Sequence, residues 1–138
     1  MFTRRFSKKI DSIPAIYEFA SGFITEHNIS ESHAYTIHLL LEEVFSNMVK
    51  HNSASDNDAL IELEKEGPTV ILRLTDYDVN EFDIRDARNV DIGRPAAETP
   101  VGGLGIHLVK QFVDKIDYQY QNRNSVVTLS LKVQKTNV

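Results

Sequence analysis

Two stretches in the first third of the chain repeat their apolar residues with the period of an α-helix, and this pattern constrains the fold more than any other feature. The first stretch runs from Ile13 to about His27, with apolar residues at i, i+3, i+4, i+7 and i+8. The second runs from about Glu31 to His51. Ser12 is expected to be the N-cap of the first helix, with Pro14 in its first turn. Each helix has an apolar stripe that a second layer must cover.

Strand-like patterns supply that layer. "FTRRFSKKI" alternates weakly and predicts a first strand, Ile61 and Leu63 alternate with glutamates, and "TVILRLT" is typical of a buried strand. A hairpin of "DYQYQ" and "VVTLSLKV" follows near the end, with one apolar face formed by Val127, Leu129, Leu131 and Val133. The order predicts an α+β fold, a two-layer sandwich with helices packed on one face of a mixed or antiparallel sheet. Residues 1–138 are expected to form a single domain.

Composition excludes several classes of protein. The 138 residues carry a net charge of −5, which argues against a protein that binds nucleic acid directly through a basic surface. The chain has no cysteine, so it forms no disulfide and no thiolate metal site. No apolar run approaches the length of a membrane span, and the N-terminus lacks the apolar segment of a signal peptide. We therefore expect a cytoplasmic protein that does not bind membranes.

A file of polar residues runs along the second helix beside its apolar stripe. Glu43, Asn47 and His51 follow one another at intervals of four residues, so they share one helical face. Polar groups at the edge of a core are costly unless they have partners. A carboxylate and an amide oxygen at this spacing suit Mg²⁺, which prefers oxygen ligands. A solvated polar face would give the same pattern, and such pairs are common.

A long segment with little periodicity lies between the predicted strands. It extends from Tyr77 to Gly105 and ends in "GGLGI", just before a helical stripe of Ile106, Val109, Val113 and Ile116. Loops of this length in a small domain are usually functional or disordered. Glycines before a helix N-terminus allow close approach of a phosphate. The glycines alone are equally typical of a flexible hinge.

These features resemble, in kind and in order, the GHKL (Bergerat-fold) ATPases, which share a histidine kinase-like ATPase domain. The similarity is closest to the small bacterial anti-sigma-factor serine/threonine kinases. "EEVFSNMVKH" is similar to their N box and "VGGLGIHLVKQFVD" to their G2 box. The resemblance extends from about Arg5 to Val133 and implies an ATP lid over about residues 83–101.

The resemblance implies ATP and Mg²⁺ as cofactors and assigns roles to individual residues. Glu43 would be the general base, and Asn47 would coordinate Mg²⁺ at the nucleotide phosphates. Thr128 matches a threonine on the adenine side, although β propensity alone also explains it. His51 matches a histidine of the N box, and a cation at the helix C-terminus is the role that we favour for it. The phosphate-binding segment would comprise Gly102, Gly103, Leu104, Gly105 and Ile106.

One region departs from the family pattern. The G1 box of the family places an Asp against adenine and a Gly nearby, but "LTDYDVNEFD" contains no glycine. Alignment on Phe82 puts Tyr77 at the Asp position, whereas alignment on the preceding strand puts Asp76 there. We prefer Asp76, because strand register is harder to change than loop length. Asp78 then falls where the family has glycine, and it stays a candidate nucleotide contact.

The resemblance implies an ATP-dependent protein serine/threonine kinase and anti-sigma regulatory factor. Its substrate would be a STAS-domain anti-sigma-factor antagonist, a sigma factor would be a second partner, and a homodimer is left open. The altered G1 box favours an alternative, a nucleotide-dependent regulatory binding module without phosphotransfer. A histidine-kinase catalytic domain is a weaker third hypothesis, because no helix with a phosphoacceptor His precedes the domain.

Overall fold

The computed structural model describes residues 1–52, 57–79 and 110–133. Its two long helices pack on a five-stranded sheet. A short 3₁₀ turn, Ile10–Ser12, precedes the first helix. The helices are α1 (Ile13–Glu26) and α2 (Glu31–Asn52), and the strands are β1 (Phe2–Phe6), β2 (Ala59–Glu66), β3 (Thr69–Asp76), β4 (Lys115–Gln121) and β5 (Asn124–Lys132).

The sheet has the strand order β1-β2-β3-β5-β4, and each neighbouring pair is antiparallel. This arrangement confirms the predicted α+β sandwich, and among the described strands the sheet is antiparallel rather than mixed. The register aligns Phe6 with Ala59, Ala59 with Asp76, and Asp76 with Ser125. These four residues therefore form one row across the same end of the sheet.

The core lies between the helices and one face of the sheet, as the two periodicities predict. Helix α2 buries Leu40, Leu41 and Val44, and β3 buries Leu72 and Leu74 against them in the same cluster. The predicted apolar face of β5 is also buried, at Val127, Leu129, Leu131 and Val133. Alternation in the strands and a repeat of three to four in the helices place these side chains in one layer.

Two local predictions have different outcomes. Ser12 is the N-cap residue of α1 and Pro14 lies in the first turn, as predicted, but Ser12 Oγ donates to the carbonyl of Ser7 at 2.8 Å and makes no capping bond to the helix. The prediction of Ile116 as a helical residue was wrong. Ile116 belongs to β4 rather than to the helix before it, and it pairs with Leu129. The apolar side chain of Ile116 fits either pattern, and pairing with β5 decides between them.

Within the described ranges, no helix combines the length and apolarity needed to cross a membrane.

Candidate functional site

Helix α2, which contacts β3, carries the buried Asn47 and the half-buried Glu43. Asn47 is buried, with 6% of its surface exposed, and its Nδ2 donates to the Glu43 carbonyl oxygen at 2.9 Å. This bond commits the amide nitrogen to the helix backbone. The Asn47 side-chain oxygen is therefore the atom through which this residue would bind a cation.

The Glu43 carboxylate is in an unusual position. Its Oε2 atom is buried, and no group of the described residues donates a hydrogen bond to it. Burial, and then the charge of neighbouring Glu42, raise the pKa of Glu43 above its ordinary value. A buried carboxylate oxygen without a donor is costly, and such atoms concentrate at catalytic sites. Glu42 itself is exposed.

Asp76 ends the inward-facing file of β3 that contains Leu72 and Leu74. It is almost completely buried, and it lies at the end of the sheet where β2 begins. Residues 53–58 alone connect α2 to β2, so the C-terminal half of α2 approaches that end of the sheet. We therefore expect Glu43, Asn47 and Asp76 to face the same region between the layers.

Lys8 accompanies Asp76 in this region, and sequence reasoning missed it. Its Nζ lies 2.7 Å from Asp76 Oδ1, and the two side chains are 2% and 1% exposed. Lysine is among the residues that are least often buried, so an N-terminal lysine gave no signal. In the sequence Lys8 belongs to a basic segment with a weak strand pattern. Its proximity to Asp76 results from the register of the sheet.

Asp78 has a different environment from Asp76. It is exposed, its Oδ1 is 2.7 Å from Arg123 Nε, and its backbone N–H donates to Asn124 Oδ1 at 3.2 Å. Its φ is +54°, in the left-handed region that favours glycine and that Asp tolerates better than most residues. This conformation explains how the chain can dispense with a glycine here. The contacts with Arg123 and Asn124 also join Asp78 to the β4–β5 hairpin.

The register of β5 separates Thr128 from Asp76. Thr128 pairs with Arg73, on the face of the sheet opposite to the helices, whereas Asp76 pairs with Ser125 on the helix-facing side. The geometry therefore does not bring Thr128 to the other candidate residues. Ser125 is buried beside Asp76 and is the hydroxyl that the sequence reasoning missed. Counting back from the buried Val127 in steps of two would have found it.

Two further sets of predictions have different outcomes. Burial, and then the charge of Lys50, lower the pKa of His51, which argues against a cation at the end of α2. The ATP lid predicted over about 83–101 lies outside the described residues, and so does the whole phosphate-binding segment. That segment stays a prediction for Gly102, Gly103, Leu104, Gly105 and Ile106.

Comparisons with known proteins agree with this fold. The family model of the histidine kinase-like ATPase domain matches residues 6–131. A chain of the SiaB–SiaC complex from Pseudomonas aeruginosa superposes with a TM-score of 0.63 at 8% identity, covering 97% of this chain and 89% of that one. The Acinetobacter baumannii histidine kinase AdeS superposes with a TM-score of 0.55 at 14% identity, covering 96% and 68%. No curated protein matches at a significant level.

Proposed function

Because this chain belongs to the histidine kinase-like ATPase family, we propose that it is an ATP-dependent protein serine/threonine kinase that acts as an anti-sigma regulatory factor. Its substrate would be a hydroxyl of a STAS-domain anti-sigma-factor antagonist. The proposal combines the family's nucleotide chemistry with the burial of Glu43 Oε2 and Asn47 on α2 and of Asp76 at the end of β3.

The buried Oε2 of Glu43 is the observation that carries the proposal. A general base needs an oxygen that can accept a proton and a pKa nearer to the working pH than that of a free carboxylate. Glu43 meets both conditions, because Oε2 receives no hydrogen bond from any described residue and burial raises the pKa of the side chain. A purely structural glutamate at the rim of a core would be expected to have a donor.

The chemistry assigned to Glu43 is proton removal during phosphoryl transfer. The substrate hydroxyl oxygen forms a bond to the γ-phosphorus as the bond from that phosphorus to the ADP oxygen breaks. The hydroxyl proton passes to Glu43 Oε2, and the electron pair of the broken bond leaves with ADP. Most of the remaining acceleration in such reactions comes from positioning and from electrostatic stabilisation.

The other proposed residues hold the nucleotide. The Asn47 amide oxygen would be a ligand of Mg²⁺, and a single protein ligand suits an ion that keeps waters and phosphate oxygens. Bound Mg²⁺ would neutralise charge on the phosphates. Asp76 would accept a hydrogen bond from the adenine 6-amino group, and the backbone of residues 102–106 would donate to the phosphates.

The proposed partner has support at the level of the fold. One chain with this fold was solved in a complex of two proteins, SiaB and SiaC. At 8% identity the likeness shows the fold alone, so the STAS-domain substrate, and a sigma factor as a second partner, are parts of our proposal.

The proposal can be tested by incubating the protein with labelled ATP, Mg²⁺ and the STAS-domain protein encoded nearest to it. We expect label on a serine or threonine of the STAS protein, stable to acid as a phosphoester is. Acid-labile label would indicate a phosphohistidine and contradict the assignment. A parallel sample with a STAS protein from an unrelated operon controls for non-specific transfer.

The ion pair between Lys8 and Asp76 favours a second candidate function. Because Lys8 already donates to the proposed adenine reader, the chain would bind nucleotide weakly or in a regulated way. It would then be a nucleotide-dependent binding module that transfers no phosphate. ATP-dependent capture of the STAS protein without any label transfer would select this candidate.

Replacement of Asn47 by alanine is expected to abolish most of the gain in ATP affinity that Mg²⁺ provides. Loss of an outer-shell partner typically weakens metal binding roughly 10–100-fold, and loss of a direct ligand should cost at least as much. Calorimetry with ATP in Mg²⁺ and in EDTA measures this gain. Affinity in EDTA should change little, and that condition controls for damage to the fold. A wild-type response to Mg²⁺ would exclude Asn47 as a ligand.

A further inference from the structure

The most unusual contact in the described residues joins Lys8 to Asp76. The two side chains are 2% and 1% exposed, and Lys8 Nζ lies 2.7 Å from Asp76 Oδ1. Both charges have therefore lost nearly all their contact with water. Buried ion pairs often contribute no more stability than apolar side chains of the same volume. Stability alone therefore does not account for this pair.

The chain fixes Lys8 in place through the turn that follows β1. Phe6 is buried in the core, and the Ser7 carbonyl accepts hydrogen bonds from the Lys9 backbone N–H and from Ser12 Oγ, both at 2.8 Å. Phe6 and Asp76 stand in the same row, two strand spacings apart, which is about 10 Å. From this turn the Lys8 side chain reaches across the end of β2 to the carboxylate.

A second contact joins the same segment to the residue after Asp76. The Arg5 guanidinium lies 5.1 Å from the centre of the Tyr77 ring. The N-terminal segment thus contacts two consecutive residues of the region that corresponds to the G1 box. Both contacts place a cation at or beside Asp76, the residue that we propose to bind adenine.

From this geometry we infer that Lys8 is an internal competitor for the Asp76 carboxylate and thereby sets the affinity of the site for adenine nucleotides. The inference rests on the proposed role of Asp76 as the acceptor for the adenine 6-amino group. Lys8 donates to that carboxylate in the structure, as the amino group would in the complex. Adenine therefore binds at the expense of the ion pair.

The charge of Lys8 decides which donor is stronger. Both donors would bond to the same charged carboxylate, but the Lys8 ammonium also carries a full positive charge that attracts it, and the neutral aromatic amino group does not. The amino group is thus the weaker donor, and only protein molecules in which Lys8 has left Asp76 bind adenine fully. The apparent affinity is the intrinsic affinity multiplied by the fraction of molecules in that state. Lys8 is therefore a residue that lowers the affinity of the site for ATP.

The test replaces Lys8 by methionine, which keeps the length of the side chain and removes its charge and donors. We expect ATP to bind about tenfold more tightly, because adenine no longer has to displace an ammonium from the Asp76 carboxylate. Lys9→Met is the matched control, because Lys9 is the exposed neighbour in the same turn, and it should leave the affinity unchanged. Unchanged or weaker ATP binding in folded Lys8→Met would overturn the inference.

A nucleotide without the 6-amino group separates this effect from a general change of charge. Purine riboside triphosphate has the same phosphates as ATP but cannot donate to Asp76. Its affinity should be equal in the wild-type protein and in Lys8→Met. An equal gain for both nucleotides would show that the effect of Lys8 does not depend on the 6-amino group, and the inference would be wrong.

Acylation of Lys8 in the wild-type protein gives a test that needs no variant. An amine-reactive reagent, followed by peptide mass spectrometry, should modify Lys8 slowly in the empty protein and faster with saturating ATP. No acceleration by bound ATP would overturn the inference. Binding that depends on Lys8 without transfer to a STAS protein would refute only the kinase proposal. Transfer with no effect of Lys8→Met on affinity would refute only the inference.

Discussion

Replacing Glu43 by glutamine is expected to lower the rate of phosphate transfer by roughly 10²–10⁴, the usual contribution of a general base. Glutamine keeps the shape of the side chain but cannot take the proton from the attacking hydroxyl. ATP affinity should stay close to that of the wild-type protein, since the proposed nucleotide contacts are made by other residues. Single-turnover transfer and equilibrium binding, measured on the same preparation, separate the two effects. Transfer at the wild-type rate would exclude Glu43 as the base.

Glu42→Gln is the matched control for this variant. Glu42 is exposed on the next position of α2, so its loss should leave the transfer rate within a small factor of the wild-type value. The stability of Glu43→Gln provides a second control. Because the folded-state pKa of Glu43 is raised, its ionisation opposes folding as pH rises through that value. Removing the charge should therefore leave the protein at neutral pH at least as stable as before.

The pH dependence of transfer gives an independent check on the same residue. Transfer requires ionised Glu43, so the rate should fall as pH decreases through its pKa. That fall should begin at a higher pH than the ordinary value of 4.5 would give, because burial raises the pKa. The Glu43→Gln variant should lack this acid limb. An acid limb that persists in the variant would belong to another group.

The fold could be predicted from the sequence because its periodicities are regular. Helix α1 begins at the predicted Ile13, α2 begins at the predicted Glu31, and the apolar residues on the inward face of β5 were identified. The boundary between the last helix and β4 was missed at Ile116, where an apolar side chain satisfies both periods. Pairing with Leu129 decides in favour of the strand. Such a contact is non-local and cannot be read from one segment.

The candidate site was only partly predictable for the same reason. Glu43 and Asn47 lie on one helix, so their spacing alone relates them. The prediction of Asp76 as an inward-facing residue followed from alternation with Leu72 and Leu74. Lys8 and Asp76 are separated by 68 positions, and their contact depends on the register of three strands. Thr128 lies three residues after Ser125, and the register of β5 places it on the face opposite to Asp76.

The departure from the family's G1 pattern also has a physical explanation. The structure gives Asp78 the positive φ that a glycine would adopt freely, and it bonds the side chain to Arg123. The chain therefore retains the backbone conformation without the glycine. Lys8 also places a buried cation on the proposed adenine reader. The effects of Asp78 and Lys8 can be measured separately.

Replacing Asp76 by asparagine is expected to destabilise the protein by about 3–5 kcal/mol, the usual cost of removing one partner from a buried ion pair. The side chain keeps its shape, but the Lys8 ammonium, 2% exposed, loses the charge that balances it. Urea unfolding followed by circular dichroism measures this loss. Asp78→Asn is the matched control, because the same substitution there removes an exposed ion pair and keeps a residue that tolerates positive φ. It should change the free energy of unfolding little.

The double variant Lys8→Met/Asp76→Leu completes this test. Two apolar side chains of similar volume remove both charges, and such replacements are often neutral or stabilising. We expect the double variant to recover most of the stability that Asp76→Asn loses. Recovery would show that the loss arises from the uncompensated Lys8 charge and not from a packing defect at the end of β3. Equal losses in Asp76→Asn and Asp78→Asn would mean that water reaches both carboxylates. The ion pair between Lys8 and Asp76 would then be too well solvated for Lys8 to compete with bound adenine.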